Sequence, residues 1–300
     1  MAAARDQTVS RPSSAPSTDL ENFMDTAQLA PPAFVAPNEL YRLLGGPRCP
    51  LILDVRKTPA FAEDDRMLPG ALRVAPEAIA GWSAPTHAQA LVAYCVHGHE
   101  VSQQAVAALA RRGFHATYLE GGIALWREMG MPLLQKVPRF GVPNDAPSRW
   151  VTRERPKIDR IACPWLIRRF VDPRAEFLYV PKGAVFSVAE SEGAIAYDIP
   201  GAPLEHDGEA CSFDAFLRAF DLHDPALDDL AVIVRGADTG RPQLAPQAPG
   251  LLAISLGLSH NFPDDHAMLE HGMAVYDALY AWCRHVRDER HNWVPQTMLA

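Results

Sequence analysis

One stretch in the first half of the chain constrains its fold more than any other feature. Leu91-Val92-Ala93-Tyr94 is a short apolar run, followed by the loop Cys95 to Val101 and then by Ser102 to Arg112 (SQQAVAALARR). That last segment is alanine-rich and apolar at 3.6-residue spacing, its Arg111 and Arg112 suit a helix C-terminus, and Gly113 supplies the stop. A second apolar run, Ala116 to Leu119, comes next. Strand, loop, helix and strand within about 30 residues form a βαβ unit, which obliges its strands to be parallel. Leu51 to Val55 is another run of the kind buried inside such a sheet. The first half is therefore expected to be an α/β domain, a parallel sheet with helices on both faces.

The loop of that unit reads Cys95-Val96-His97-Gly98-His99-Glu100-Val101. A cysteine at the carboxyl end of a parallel strand, just before a helix N-terminus, sits where backbone N–H groups converge and stabilise negative charge. The position suits a reactive thiolate and suits a buried structural thiol equally well, because free cysteines are often simply packed away. Five cysteines occur, Cys49, Cys95, Cys163, Cys211 and Cys283, with no CxxC pair. Such a scattered set is neither a disulfide framework nor a zinc finger, and it points to a reducing compartment.

Further stretches carry a resemblance. Leu53-Asp54-Val55-Arg56, Leu68-Pro69-Gly70-Ala71-Leu72, Tyr94-Cys95, Gly113-Phe114, Leu119-Glu120-Gly121-Gly122, Trp126 and Gly130-Met131-Pro132 follow the order and spacing of the rhodanese-like sulfurtransferases. The resemblance covers about Pro32 to Leu134. It implies that Cys95 accepts sulfur and cycles through a persulfide held by the amides of Val96, His97, Gly98, His99, Glu100 and Val101. It also implies that Asp54 and Arg56 support the site. The sequence departs from the family at Glu100, where active members usually carry Arg, Lys or Thr to help bind an oxyanion donor. A carboxylate there opposes a thiolate and an anionic donor, and protonated His97 and His99 would offset it. Val101 stands where the related phosphatases carry Arg, so a phosphatase is not expected.

The remaining organisation is simple. Residues 1–30 are rich in Ala, Ser and Pro without hydrophobic periodicity and are expected to be disordered. The α/β domain is expected over 31–136 and a proline-rich linker over 137–150. A second, mostly helical α+β domain is expected over 151–300. No apolar stretch reaches the roughly 18 residues a membrane helix needs, and no secretory h-region is present, so a cytoplasmic location is expected. With 28 Lys+Arg against 36 Asp+Glu, the net charge of -8 argues against a general polyanion binder.

Residues 151–170 (VTRERPKIDRIACPWLIRRF) nevertheless concentrate Arg153, Arg155, Lys157, Arg160, Arg168 and Arg169. Three readings of this block compete. It could grip a tetrahedral oxyanion, touch nucleic-acid phosphates, or pair with carboxylates such as Asp198, Asp214 and Asp238. No nucleic-acid-binding motif accompanies it, so nucleic acid is not an expected partner. Cys163-Pro164 predicts a helix with proline in its first turn, stopping at Asp172-Pro173. A helix is predicted from Pro225 to Arg235, ending at Gly236. A long one is predicted from about Pro263 to His291, with Met268, Gly272 or Met273, Tyr276, Leu279 or Tyr280, Cys283 and Val286 on its apolar stripe. His206, Glu209 and Cys211, and the i, i+4 pair His266 and Glu270, carry metal-ligating groups. Their spacing matches no metal motif, so neither a metal nor any other cofactor is expected.

The second half resembles the C-terminal domain of ChrB-type chromate-resistance proteins. The resemblance runs through Trp150 to Arg153 and Arg155 to Phe170, then Cys211-Ser212-Phe213-Asp214, Ile233 to Thr239 and Gly250-Leu251-Leu252. It implies a role in chromate resistance, by sensing chromate or altering its fate. The rhodanese-like domain stands where that family has its regulatory segment, so transcription regulation of the usual kind is not expected. The combined reading is a two-domain chromate-resistance protein whose Cys95 handles sulfur and whose basic block meets a chromate-like oxyanion. Its partners would be small sulfur donors and acceptors. Two alternatives stay open: a non-catalytic sensor with a docking rhodanese domain, and a metal-dependent C-terminal enzyme.

Overall fold

A computed structural model describes residues 33–84, 90–141 and 146–289; the expected disorder of 1–30 lies outside them. The first half contains β1 (Phe34–Val35), α1 (Pro37–Leu43), β2 (Leu51–Asp54), α2 (Thr58–Glu63), β3 (Arg66–Met67) and β4 (Leu72–Arg73). It continues with β5 (Leu91–Tyr94), α3 (Glu100–Arg111), β6 (Ala116–Leu119), α4 (Gly122–Glu128) and β7 (Leu134–Gln135). Five strands form a parallel sheet in the order β1-β6-β5-β2-β4. Strand alternation divides its side chains between two faces. Leu53, Val55, Ala93 and Cys95 share one core cluster with Ala105, Val106 and Leu109 of α3. Ile52, Val92 and Tyr94 turn to the opposite face and join Leu40 of α1 and Ile123 and Trp126 of α4.

The second half contains β8 (Arg149–Arg153), α5 (Asp159–Leu166), β9 (Glu176–Val180), α6 (Val185–Glu192) and β10 (Ile195–Ala196). Four helices follow: α7 (Ser212–Ala219), α8 (Pro225–Asp238), α9 (Ala248–Asn261) and α10 (Asp265–Ala281). A three-stranded parallel sheet in the order β10-β8-β9 lies among them.

Two helices differ from expectation for reasons visible in their packing. Pro164 lies inside α5 rather than at its start, and a π-helical turn, Ile167–Val171, extends the element. Proline has no N–H for the carbonyl four residues earlier, which is that of Arg160. The Tyr179 hydroxyl donates to that carbonyl instead, at 3.3 Å. Helix α8 runs through Gly236 to Asp238 because this glycine serves close packing, not termination. A Cβ there would stand 2.9 Å from the Cβ of Ala248 on α9.

The expected linker is not a free spacer. Phe140 and Trp150 within it are almost wholly buried, with ring centroids 6.2 Å apart. One apolar cluster runs from Leu40, Leu68 and Trp126 in the first half to Trp165, Phe170 and Tyr280 in the second. Polar contacts close the same seam. The Gly70 amide donates to the Phe170 carbonyl at 2.6 Å, and the Gln135 amide to the Phe220 carbonyl at 2.9 Å. The Tyr41 hydroxyl donates to Asp224 at 2.8 Å, and Arg284 donates to the Leu44 carbonyl at 2.8 Å.

Because the two halves share this core, we expect heat or urea to unfold residues 33–289 in one transition, with fluorescence and far-UV circular dichroism superimposing. Phe170→Ala should lower that whole transition by about 3–5 kcal/mol. Two separated transitions in the wild-type chain would contradict the shared core.

Candidate functional site

Cys95 leaves the carboxyl end of β5 at the middle of the first sheet and is 6% exposed. Its Sγ lies 3.2 Å from the Ser102 hydroxyl, which donates to the His99 carbonyl at 3.1 Å. The loop is pinned from behind by α4: the Ile123 and Ala124 amides donate to the Cys95 and Val96 carbonyls at 3.1 and 3.0 Å. Gly98 makes the turn at φ +69°, and a Cβ there would stand 2.6 Å from the Leu119 carbonyl oxygen. These restraints fix the loop while the first N–H groups of α3 have no acceptor inside the helix. The site therefore combines one thiol with amide donors suited to a sulfur anion. The His97 and His99 rings lie 5.9 Å apart beside it. Glu100 is exposed, and its carboxylate accepts from Gln104 at 2.8 Å, which draws it along the helix. Sequence reasoning missed Ser102; its place in the first turn of the helix after the cysteine is the available signal.

Asp54 and Arg56 sit on the other face of the sheet from Cys95. Both side chains are completely buried. Arg56 Nη2 donates to Asp54 Oδ2 at 2.6 Å, while its Nη1 reaches Asp64 at 2.8 Å. The Tyr94 hydroxyl completes the group by donating to Asp54 at 2.6 Å. This network ties β2 and β5 to the segment before β3, so its support of the Cys95 loop runs through the sheet. Burial alone would push the Asp64 carboxyl up. The hydrogen bonds from Arg127 and the Arg66 amide, with the Arg127 and Arg56 charges, hold it below the ordinary carboxylate range.

The basic block is spent largely on internal partners. Arg153 Nη2 and Arg160 Nε meet Asp198 Oδ2 at 3.1 and 3.3 Å. Arg168 pairs with Glu270 at 2.6 Å, and Arg169 grips Asp277 with two hydrogen bonds of 2.8 Å. Arg155 donates to the Ser259 and Pro263 carbonyls at 2.6 and 3.2 Å, and its amide to Asp265 at 3.1 Å. The guanidinium groups of Arg153, Arg160, Arg168 and Arg169 thus meet carboxylates, while that of Arg155 meets backbone carbonyls. Asp198 is one of the expected carboxylate partners, Asp214 pairs instead with Arg235 outside the block, and no ion pair to Lys157 occurs among the described residues.

The metal-ligating candidates do not gather as the sequence placed them. Glu209 pairs with Arg241 at 2.9 Å, and Cys211 is buried at the start of α7. His266 packs against the Tyr179 ring and Glu270 meets Arg168. His206 alone joins a cluster, and its companions are aspartates: Asp159 of α5, Asp198 after β10 and Asp238 at the end of α8. His206 Nε2 lies 3.4 Å from Asp159 Oδ2, 3.3 Å from Asp198 Oδ1 and 3.1 Å from Asp238 Oδ2. The close carboxylates of Asp159 and Asp198, with that of Asp238, push His206 up to about 10. Burial raises Asp238, with the charges of Asp159 and Asp198 adding to it. Burial would also raise Asp198, but the contacts from His206 and Ser212 and the charges of Arg160 and Arg153 bring it below its ordinary value. Sequence reading had Asp198 and Asp238 as ion-pair partners only; nothing in their spacing joined them to His206.

Comparison with known proteins follows this division. The family model of the rhodanese-like domain matches residues 36–129, and that of the ChrB C-terminal domain matches 150–283. A curated relative, Protein ChrB of Cupriavidus metallidurans, is 33% identical over 169 residues, covering 52% of this chain. The chain spans about half, 50%, of that relative's length. Among solved structures, a rhodanese-related protein from Thermoplasma volcanium is 22% identical, covers 34% of this chain and 96% of its own, and gives a TM-score of 0.30. Thiosulfate sulfurtransferase from Pseudomonas aeruginosa is 25% identical over 34% of this chain and 19% of its own, with a TM-score of 0.30.

The Asp64 contacts generate a pH-dependent expectation. Asp64→Asn should cost about 1.5–3 kcal/mol at neutral pH, read from the urea midpoint. A carboxyl held low in the folded state stabilises the fold above the ordinary carboxylate range and loses that contribution as pH falls through its folded value. The difference between wild type and variant should therefore shrink in acid. A difference that stays constant from neutral to acid pH would show that the charge on Asp64 contributes nothing.

Proposed function

From a chain that carries a rhodanese-like domain at 36–129 and a ChrB C-terminal domain at 150–283, we propose a chromate-resistance protein that carries sulfane sulfur on Cys95. The observation that carries this reading is the placement of the Cys95 thiol: at the carboxyl end of β5, against Ser102, ahead of the unpaired amides that open α3.

The chemistry this supports is a two-step transfer. The Cys95 thiolate attacks the outer sulfur of a sulfane donor, an S–S bond forms to Cys95, and the donor's own bond to that sulfur breaks. The donor departs with the electron pair, as sulfite when the donor is thiosulfate. The outer sulfur of the persulfide carries the negative charge, which the loop and helix amides stabilise. A nucleophilic acceptor then bonds to that sulfur, and Cys95 leaves as the thiolate. Ser102 orients the thiol from one side, and Gly98 with the α4 contacts keeps the loop in shape. The assignment of chromate resistance rests on the likeness of residues 150–283 to the ChrB domain, and the sulfur chemistry on Cys95. All five cysteines are unpaired, which suits a reducing compartment such as the cytoplasm. No described helix is long and apolar enough to cross a membrane.

The near-complete burial of Cys95 and the carboxylate of Glu100 favour a second reading, in which the rhodanese domain docks a partner or senses without turnover. Thiosulfate and cyanide distinguish the two. The sulfurtransferase reading expects thiocyanate from the wild-type chain and none above background from Cys95→Ser. Ser102→Ala should slow the reaction about 3- to 10-fold, the value of one hydrogen bond. If wild type and Cys95→Ser form equally little thiocyanate, docking or sensing stands. In a chromate-sensitive host the wild-type chain should restore growth on chromate, and Cys95→Ser should not.

A further inference from the structure

Three carboxylate oxygens, from Asp159, Asp198 and Asp238, converge on the single nitrogen His206 Nε2 at 3.4, 3.3 and 3.1 Å. An imidazole nitrogen carries at most one hydrogen, so it can satisfy only one of them by donation. Two of the three distances also exceed the usual N–H···O range. They fit a different arrangement. A tetrahedral cation with bonds of about 2.0–2.1 Å spaces its ligands by about 3.3–3.4 Å. The ligating atoms of Asp159, Asp198 and His206 all lie within 4.8 Å of one another.

A separate observation points the same way. Asp159 is 1% exposed; its Oδ2 is the oxygen recorded against His206, and the adjoining Oδ1 of the same carboxylate accepts no hydrogen bond. The nearby Cys211 thiol favours the carboxylate's charge without meeting hydrogen-bond geometry at that oxygen. A buried carboxylate oxygen lacking a donor costs stability unless a positive group reaches it. The other carboxylate oxygens are already oriented from outside. The Ser212 amide holds Asp159 Oδ2 at 2.6 Å, the Ser212 hydroxyl holds Asp198 Oδ1 at 2.9 Å, and Arg153 and Arg160 hold Asp198 Oδ2. Outer partners of this kind fix metal ligands in their binding orientation.

We propose that Asp159, Asp198 and His206 form a binding site for one divalent metal cation of the Zn2+ and Co2+ class. Three protein ligands of mixed oxygen and nitrogen type suit borderline cations and leave a fourth position for water or an added ligand. His206 also lines an open cleft of about 430 Å³ together with Arg139, Arg218, Glu205 and Asp207, so the imidazole end of the site borders solvent. Asp238 stands beside the site, 3.1 Å from the same nitrogen. The site is independent of the sulfur chemistry at Cys95.

The test uses the full chain, stripped with a chelator and titrated with Co2+ and then Zn2+. The expected result is one equivalent of Co2+ whose spectrum lacks a thiolate charge-transfer band, displaced by Zn2+, with a rise in Tm for each metal. His206→Gln, a change at a half-exposed side chain, should fold as judged by circular dichroism and weaken Co2+ binding at least about 10-fold. Asp159→Asn should do the same. The proposal is overturned if the wild-type chain binds no Co2+ and shows no rise in Tm. It is equally overturned if His206→Gln binds as tightly as wild type, or if the bound Co2+ shows a thiolate band, which would place it on cysteine. Neither result bears on thiocyanate formation, so this site and the Cys95 reading fail or stand separately.

Discussion

A parallel sheet needs cover on both faces, and the way this chain supplies it governs the rest of the molecule. One face of the first sheet is closed locally by α3. The other face begins with α1 and α4 and runs on, without an apolar gap, into Trp165, Phe170 and Tyr280 of the second half. The seam is buried, so backbone groups that enter it need partners, and they pair across it. The Gly70 amide on the Phe170 carbonyl and the Gln135 amide on the Phe220 carbonyl are the result.

That arrangement separates two kinds of buried charge. Asp54 and Arg56 lie on the seam side of the sheet, fully paired, and brace the strands from which Cys95 emerges on the far side. Around Asp198 the pairing is unequal: two guanidinium groups hold one of its oxygens, while the oxygens of three aspartates crowd one imidazole nitrogen. A fully paired network serves as scaffold; an underpaired one has capacity left for a ligand.

The sequence made the first half legible because its signals are local. The apolar runs at Leu51 and Leu91, the alanine-rich helix and its glycine stop each report on a few neighbouring residues, and the rhodanese motifs sit at fixed spacings. The second half was harder to read. Pro164 looked like a helix start because a proline inside a helix is costly, and only the Tyr179 hydroxyl, from another strand, relieves that cost. Gly236 looked like a stop because nothing in its neighbourhood announces Ala248. The basic block, read as three competing partners, meets carboxylates up to 108 residues away, as the Arg169–Asp277 pair shows.

By itself the sequence determined the parallel α/β domain, the placement of Cys95 at the head of a helix, the kinship of both halves and the excess of cations in residues 151–170. Those follow from periodicity, turn chemistry and motif spacing, which act over a few residues. Tertiary structure alone decided that the two halves share one core, that four of the six cations meet internal carboxylates, and that His206 keeps company with aspartates rather than with Glu209 or Cys211. Asp159 and Asp238 are 79 residues apart. No local rule brings such residues together; the packing of α5 against α7 and α8, forced by burial of their apolar faces, does.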